Sequence, residues 1–256
     1  MTLILGIPAK DGIVLASDGQ VTFGAVKAPT TKIYQLNSYS LWSASGELAL
    51  IQRVEECLNT LPDREQPLIN LRDFLAQAIK TSVEQLLNLD FRTRFASGNP
   101  DSLLRLHPGD FIFAEYRNQP RLLHITVNGT PEWIWGRPVA LGSGDLFAYA
   151  LLRKYQGLQL DVQMASLLAF KVIEETIQVG AYGLGPPIDI WRITQNGIHH
   201  CQEDEIAALE DLARAVREEE INIFIGRFQQ HEEPVVMPSV EGVEQCDQEN
   251  ESQTTQ

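Results

Sequence analysis

Near its start the chain carries apolar residues in short runs cut by turn-forming residues. Leu3–Pro8 and Ile13–Ser17 are two such runs, with Lys10–Gly12 between them. An Asp-Gly pair between apolar runs is a strong hairpin signal, and Asp11-Gly12 supplies it. Lys32–Leu36 and Leu41–Ser45 predict a further strand pair around Asn37–Ser40. After Gly46 the period changes: Leu48, Ile51, Val54 and Leu58 recur at three and four residues, which predicts a helix. Pro62 and Pro67 break the chain, and a second helix is predicted over Ile69–Leu89, with Leu71, Leu75, Ile79, Val83 and Leu86 on one face. Phe91–Gly109 shows no period, contains Gly98, Pro100 and Pro108, and reads as an inserted loop. Asp110–Tyr116, Leu122–Val127 and Glu132–Trp135 read as strands, followed by helices at about Asp145–Tyr155 and Asp161–Gln178. Ile188–Thr194 and Gly197–Cys201 form a predicted hairpin, and a last charged helix is expected at about Asp204–Glu219. Strands and helices come in groups rather than alternating, which indicates α+β. Two helix pairs separated by strands point to a four-layer αββα sandwich.

Composition narrows the functions. The 256 residues can form a sizeable core, and 44% are hydrophobic. The formal net charge of −14 argues against sequence-independent binding of nucleic acid or of an anionic membrane, which both need a basic surface. Part of the acidity is local: Glu232, Glu233, Glu241, Glu244, Asp247, Glu249 and Glu251 follow Gln229 with no Lys or Arg among them. Residues 229–256 are expected to be a disordered acidic tail after one domain over 1–228. Cys57, Cys201 and Cys246 are far apart and form no CxxC, so neither a zinc site nor a disulfide framework is indicated. The start of the chain has neither a basic segment nor a long apolar one of signal-peptide type, and a cytoplasmic protein is expected. His199 and His200 alternate faces on a strand and make a poor metal pair; His107 and His124 are isolated. No metal and no cofactor is implied. Gly183-Leu184-Gly185 lacks the helix that a nucleotide loop requires.

Thr2 is the candidate nucleophile. With Met1 trimmed, it would carry a hydroxyl and an α-amine on one residue, and an amine of unperturbed pKa of about 7.7–8.0 can accept the hydroxyl proton. Several further segments stand in a telling order. Thr2–Gly24 reads TLILGIPAKDGIVLASDGQVTFG, Lys32–Leu36 reads KIYQL and Leu41–Gly46 reads LWSASG. Ala140–Gly144 reads ALGSG, ahead of Phe147, Ala148 and Leu151, and Ile188–Thr194 reads IDIWRIT, ahead of Asn196-Gly197. Together these resemble proteasome β-type subunits and the related bacterial two-component ring protease, from residue 2 to about 200.

The resemblance implies an N-terminal-nucleophile hydrolase fold and a threonine endopeptidase. Lys32 would favour the ionised Thr2 hydroxyl, Asp18 would orient Lys32, and Ser143 would bond the Thr2 amine and relay protons. Gly46 would offer its N–H to the oxyanion. Thr22 would sit on the strand edge that receives an extended peptide. Val21, Thr30, Tyr34, Ala44, Leu48 and Gln52 would line a mostly apolar specificity pocket. It further implies self-assembly into a homo-oligomeric ring or barrel, peptide or unfolded-protein substrates, and by analogy an ATPase partner. One departure stands out. The D-S-x-S-G-G-like segment of the proteasome branch should fall at residues 180–187, where this chain has GAYGLGPP, closer to the bacterial ancestral β-subunits. A proteasome-like ring with weak or lost turnover, and an amidase of small molecules on the same sandwich, are the alternatives.

Overall fold

The computed structural model describes residues 2–23, 26–86, 109–126, 128–180 and 183–230. Most of the predicted inserted loop, His107 and the acidic tail beyond Gln230 lie outside them. The chain divides into two compact units, Met1–Arg214 and Ala215–Gln256.

The first unit is an αββα sandwich. One sheet has five strands in the order β10-β1-β2-β11-β12: β1 (Leu3–Ala9), β2 (Gly12–Asp18), β10 (Val139–Gly142), β11 (Ile188–Thr194) and β12 (Gly197–His200). The other runs β5-β6-β7-β8-β9, from Ile33–Asn37, Ser40–Gly46, Gly109–Tyr116, Pro120–Ile125 and Pro131–Ile134. β3 (Gln20–Phe23) and β4 (Val26–Pro29) pair as a separate ribbon. The helices are α1 (Leu48–Asn59), α2 (Leu68–Gln85), α3 (Asp145–Leu152), α4 (Val162–Gln178) and α5 (Glu203–Gln230).

Alternation along the strands builds the layers. Leu3, Leu5 and Ile7 of β1 face α3 and α4, with Ala148, Leu152, Phe170 and Ile173 in the same core cluster. Phe111 and Phe113 of β7 face α1 and α2 beside Val54, Leu75 and Ile79. Ile4, Ile13, Leu15, Ile112 and Leu122 fill the space between the sheets. Strands buried on both faces read as continuous apolar runs, which is why the opening of the chain lacks a clean alternation. Side-chain burial of this extent supplies most of the driving force for folding, at about 25 cal/mol per Å² of apolar surface.

The expected strands and helices form, with shifted ends. β3, β4 and β10 were not read as separate strands; β3 and β4 form by pairing with each other and β10 by pairing with β1. The last helix continues beyond Glu219 to Gln230. β1 and β2 join through Lys10-Asp11, and the Asp11 carboxylate accepts the Val162 N–H at 2.8 Å, fixing the start of α4 to that hairpin. Among the described residues no helix is long and apolar enough to cross a membrane.

Candidate active site

Thr2 precedes β1, and that strand lies between β10 and β2. β10 delivers Ser143 to it. Thr2 N donates to Ser143 Oγ at 3.3 Å, and Ser143 Oγ lies 3.4 Å from Thr2 O, which can accept its proton. Gly142, just before, has φ +101°, and a Cβ built there would run into Thr2 O. Glycine is thus required on two counts, backbone conformation and close approach.

β2 ends at Asp18, on the other side of β1. This carboxylate is fully buried, and both its oxygens are engaged. Oδ1 accepts Leu3 N–H at 2.9 Å and Lys32 Nζ at 2.6 Å. Oδ2 accepts Gln20 N–H and Gly185 N–H, each at 3.3 Å. Lys32 sits immediately before β5 of the opposite sheet and is 7% exposed, so the ion pair ties the two sheets at this end. Its backbone carbonyl accepts Ser43 Oγ at 2.6 Å. Burial pushes the Lys32 pKa down, while the charge and hydrogen bond of Asp18 oppose that; the balance is a lowered value. The shared Oδ1 sets Lys32 beside the peptide that follows Thr2.

A cavity of about 450 Å³ opens at Thr2. Ser45, Gly46, Gly109 and Asp110 line one side, Gly142, Ser143 and Asp145 the other. Gly46 closes β6 opposite Gly109, has φ +136°, and stands one residue before Glu47, the N-cap of α1. The Asp110 carboxylate is 3.3 Å from His124 Nε2.

The structure therefore brings Thr2, Asp18, Lys32 and Ser143 to one end of the sandwich, with Gly46 on the cavity wall. The expected specificity residues are spread along β3, β5, β6 and α1, with Thr30 between β4 and β5. Val21 and Thr22 lie on β3, where Thr22 is opposite Lys27. Among the described residues β3 pairs only with β4. Tyr34 stacks on Trp42 with ring centroids 4.7 Å apart, Ala44 is buried in the same cluster, and Leu48 is exposed on α1. Pattern alone did not single out Gln20, Gly142 or Gly185, because their roles come from backbone approach and from a partner more than a hundred residues away in the chain.

One cluster of donor atoms lies elsewhere. His199, Cys201 and Glu205 bring their ligating atoms within 4.8 Å of one another. Glu205 there accepts Gln202 N–H at 3.1 Å, as an N-terminal capping glutamate does, and pairs with His199 at 2.7 Å and Arg192 at 2.9 Å. Its carboxylate already has three partners, and Arg192 puts a positive charge against it.

Two parallel sheets of antiparallel strands between helix layers, with a threonine at the open end, define the N-terminal-nucleophile hydrolase class of fold. Residues 2–64 match the family model described as proteasome subunit. A proteasome subunit beta of Nanoarchaeum equitans is 27% identical over 204 residues, covering 77% of this chain and 95% of that protein. Proteasome subunit beta 1 of Thermococcus onnurineus is 24% identical, covering 81% and 96%. The solved structure of an Anbu (Gly-1) mutant from Hyphomicrobium sp. strain MC1 superposes with a TM-score of 0.63 at 17% identity, over 88% of this chain and 97% of that one, which shows the shared fold. These likenesses support a relationship to proteasome β subunits.

Proposed function

We propose that this protein is a threonine-type endopeptidase subunit, with Thr2 as the nucleophile once Met1 is removed. One observation carries the reading: Thr2 borders an open cavity between Ser143, on its nitrogen, and the buried Asp18–Lys32 pair, on the amide of the next residue.

The reaction follows from these positions. The Thr2 α-amine, held by Ser143, takes the hydroxyl proton directly or through water as Oγ1 attacks the substrate carbonyl carbon. Lys32 favours the developing alkoxide, and Asp18 keeps Lys32 charged and aimed. Gly46 N–H receives the carbonyl oxygen as it gains negative charge. Collapse breaks the C–N bond, and the leaving amine takes the proton from the Thr2 amine. Water, deprotonated by the same amine, then hydrolyses the ester and restores the hydroxyl. An extended peptide adds to the edge of β3 that is unpaired among the described residues, at Val21 and Thr22, with Tyr34, Ala44 and Leu48 contributing the apolar side of the specificity pocket. The substrate is a peptide or unfolded protein, the working form a homo-oligomeric ring or barrel in the cytoplasm, and an ATPase a possible partner by analogy.

The departure at residues 180–187 favours a second reading, a proteasome-like ring without efficient turnover. One experiment separates the two: intact mass after incubation with an epoxyketone or β-lactone, for wild type and Thr2→Ala. A chain lacking Met1 that gains a single adduct only with Thr2 present supports the peptidase. A chain that retains Met1, or stays unmodified, sinks it.

A further inference from the structure

The segment that departs from the proteasome pattern makes specific contacts on both sides of Thr2. Gln20 Nε2 donates to Gly183 O at 3.0 Å, and Gly19 N–H donates to Gly185 O at 3.1 Å. Gly185 N–H then donates to Asp18 Oδ2 at 3.3 Å. The Asp18-Gly19-Gln20 turn and the Gly183-Leu184-Gly185 segment are thus joined by three hydrogen bonds, two of them from or to groups that are nearly or wholly buried. Shape locks them as well: a Cβ at Gly185 would run into the Gln20 carboxamide, and one at Gly19 into Pro187 O. On the far side, Leu184 belongs to the core cluster of α3 and α4, and its Cδ1 lies 2.7 Å from where a Cβ on Gly144 would stand. Gly144 adjoins Ser143. A single three-residue segment therefore touches the turn that carries Asp18 and the turn that carries Ser143.

We infer that residues 183–185 form a backbone clamp that positions Asp18, and through it Lys32, and that Gln20 is the positioning residue that latches the clamp. This rests on the Thr2 reading. It assigns the carboxylate's two oxygens different duties. Oδ1 serves Leu3 and Lys32; Oδ2 is anchored by Gln20 N–H and Gly185 N–H, so the carboxylate cannot rotate without breaking both. A backbone amide does here what a side-chain hydroxyl donor could do in another sequence, since the bond it makes is to a charged acceptor. Side-chain donors are then not needed at 180–187, and the chain's Gly-rich stretch becomes intelligible: only glycine allows the amide of 185 to approach under Gln20.

The test uses the full chain with Gln20→Leu, which keeps bulk and removes both polar groups, and Gln20→Asn, which keeps the amide on a shorter stem. Two readouts are taken below the unfolding temperature. The first is modification of Thr2 by an epoxyketone, resolved into a maximal rate and a half-saturating concentration. The second is the pH dependence of Lys32 acetylation, read by peptide mass mapping, which does not depend on Thr2 reacting. The clamp predicts that Gln20→Leu lowers the maximal rate by on the order of 10- to 100-fold, as small misplacements of reacting groups do. It predicts a half-saturating concentration within about twofold, because substrate contacts are not touched. Lys32 should also lose its proton at lower pH, because a carboxylate free to turn away supports its charge less; Gln20→Asn should fall between. Both readouts unchanged, with or without a drop in melting temperature, overturn the clamp and leave Gln20 a structural residue. Should Gln20→Leu fail to fold, Gln20→Asn carries the same two criteria. A wild type that never labels at Thr2 while Lys32 still shifts with Gln20→Leu removes the nucleophile reading and leaves the clamp standing.

Discussion

Lys32 is a base held charged against its surroundings. Burial lowers its pKa from 10.5 and the Asp18 pair only partly restores it. On the proposed mechanism the protonated form favours the Thr2 alkoxide, so the rate of Thr2 modification should fall on the alkaline side at a pH below 10.5. Lys32→Ala should remove that limb and most of the rate, on the order of 100-fold or more; a rate-against-pH curve for the two proteins decides it. A second residue shows the opposite use of burial. The Cys201 thiol is pushed up to about 11, by burial foremost and by Glu205 and Asp189, against the charge of Arg192. In a Cys246→Ser background at pH 8, a disulfide-exchange reagent should titrate the exposed Cys57 quickly and leave Cys201 untouched until the protein is unfolded, since thiolate is the reacting form. Thr2, Asp18, Lys32 and Ser143 could be named from sequence because each stands inside an ordered series of matching segments. Gln20 and Gly185 could not. A glutamine and a glycine have no chemistry of their own to advertise, and their meaning arises only when segments 163 residues apart meet.

At the scale of elements, the Asp18–Lys32 pair ties the two sheets at the end where Thr2 lies, and hydrocarbon fills the space between them. Glu115 of β7, fully buried, is a second ionic centre: it accepts Leu68 N–H at 2.9 Å at the start of α2, Arg117 Nε at 2.9 Å and Arg121 at 3.1 Å. Glu115→Ala leaves two partly buried guanidinium groups and a helix amide without their acceptor. The expected cost is about 3–5 kcal/mol, the range for breaking a buried pair, read as a lowered midpoint in urea with an unchanged slope. Gly142→Ala tests β10 in the same spirit, but at the site. A Cβ at φ +101° is strained and collides with the Thr2 carbonyl, so Thr2 labelling should be lost even where far-UV circular dichroism stays native. The long elements were legible in the sequence, the helices by their spacing of three and four and the long strands as apolar runs bounded by turn residues. The ribbon of β3 and β4 and the strand β10 were not, because they are set by pairing partners rather than by their own pattern.

For the whole molecule the open question is what covers its apolar surface. On the sandwich, Leu146 is 76% exposed and Phe147 46% on α3, with Leu158 and Met164 also exposed close by in sequence. The second unit has its own exposed group, Ile221, Ile223, Phe224 and Ile225 on its helical part. Monomers seldom present grouped large apolar side chains without a use for them, and self-association is the use that the proposed function gives them. A net charge of −14 opposes the approach of copies, which makes such apolar surface the better source of attraction between them. Two double variants separate the surfaces. Leu146→Asp with Phe147→Asp should reduce the mass in native mass spectrometry towards that of a monomer, with little change in melting temperature because neither side chain is in the core. Ile221→Asp with Phe224→Asp asks the same of the second unit. If only the first lowers the mass, the α3 face, which begins two residues after Ser143, is the joint, and the ring is built at the rim of the cavity. If only the second does, assembly lies with the helix beyond Arg214 and the site is completed within one chain. An unchanged mass in both, from an oligomeric wild type, would remove both surfaces from the assembly. The α3 outcome carries a further consequence: the dissociated chain should also label more slowly at Thr2, because losing the neighbour frees the turn that holds Ser143.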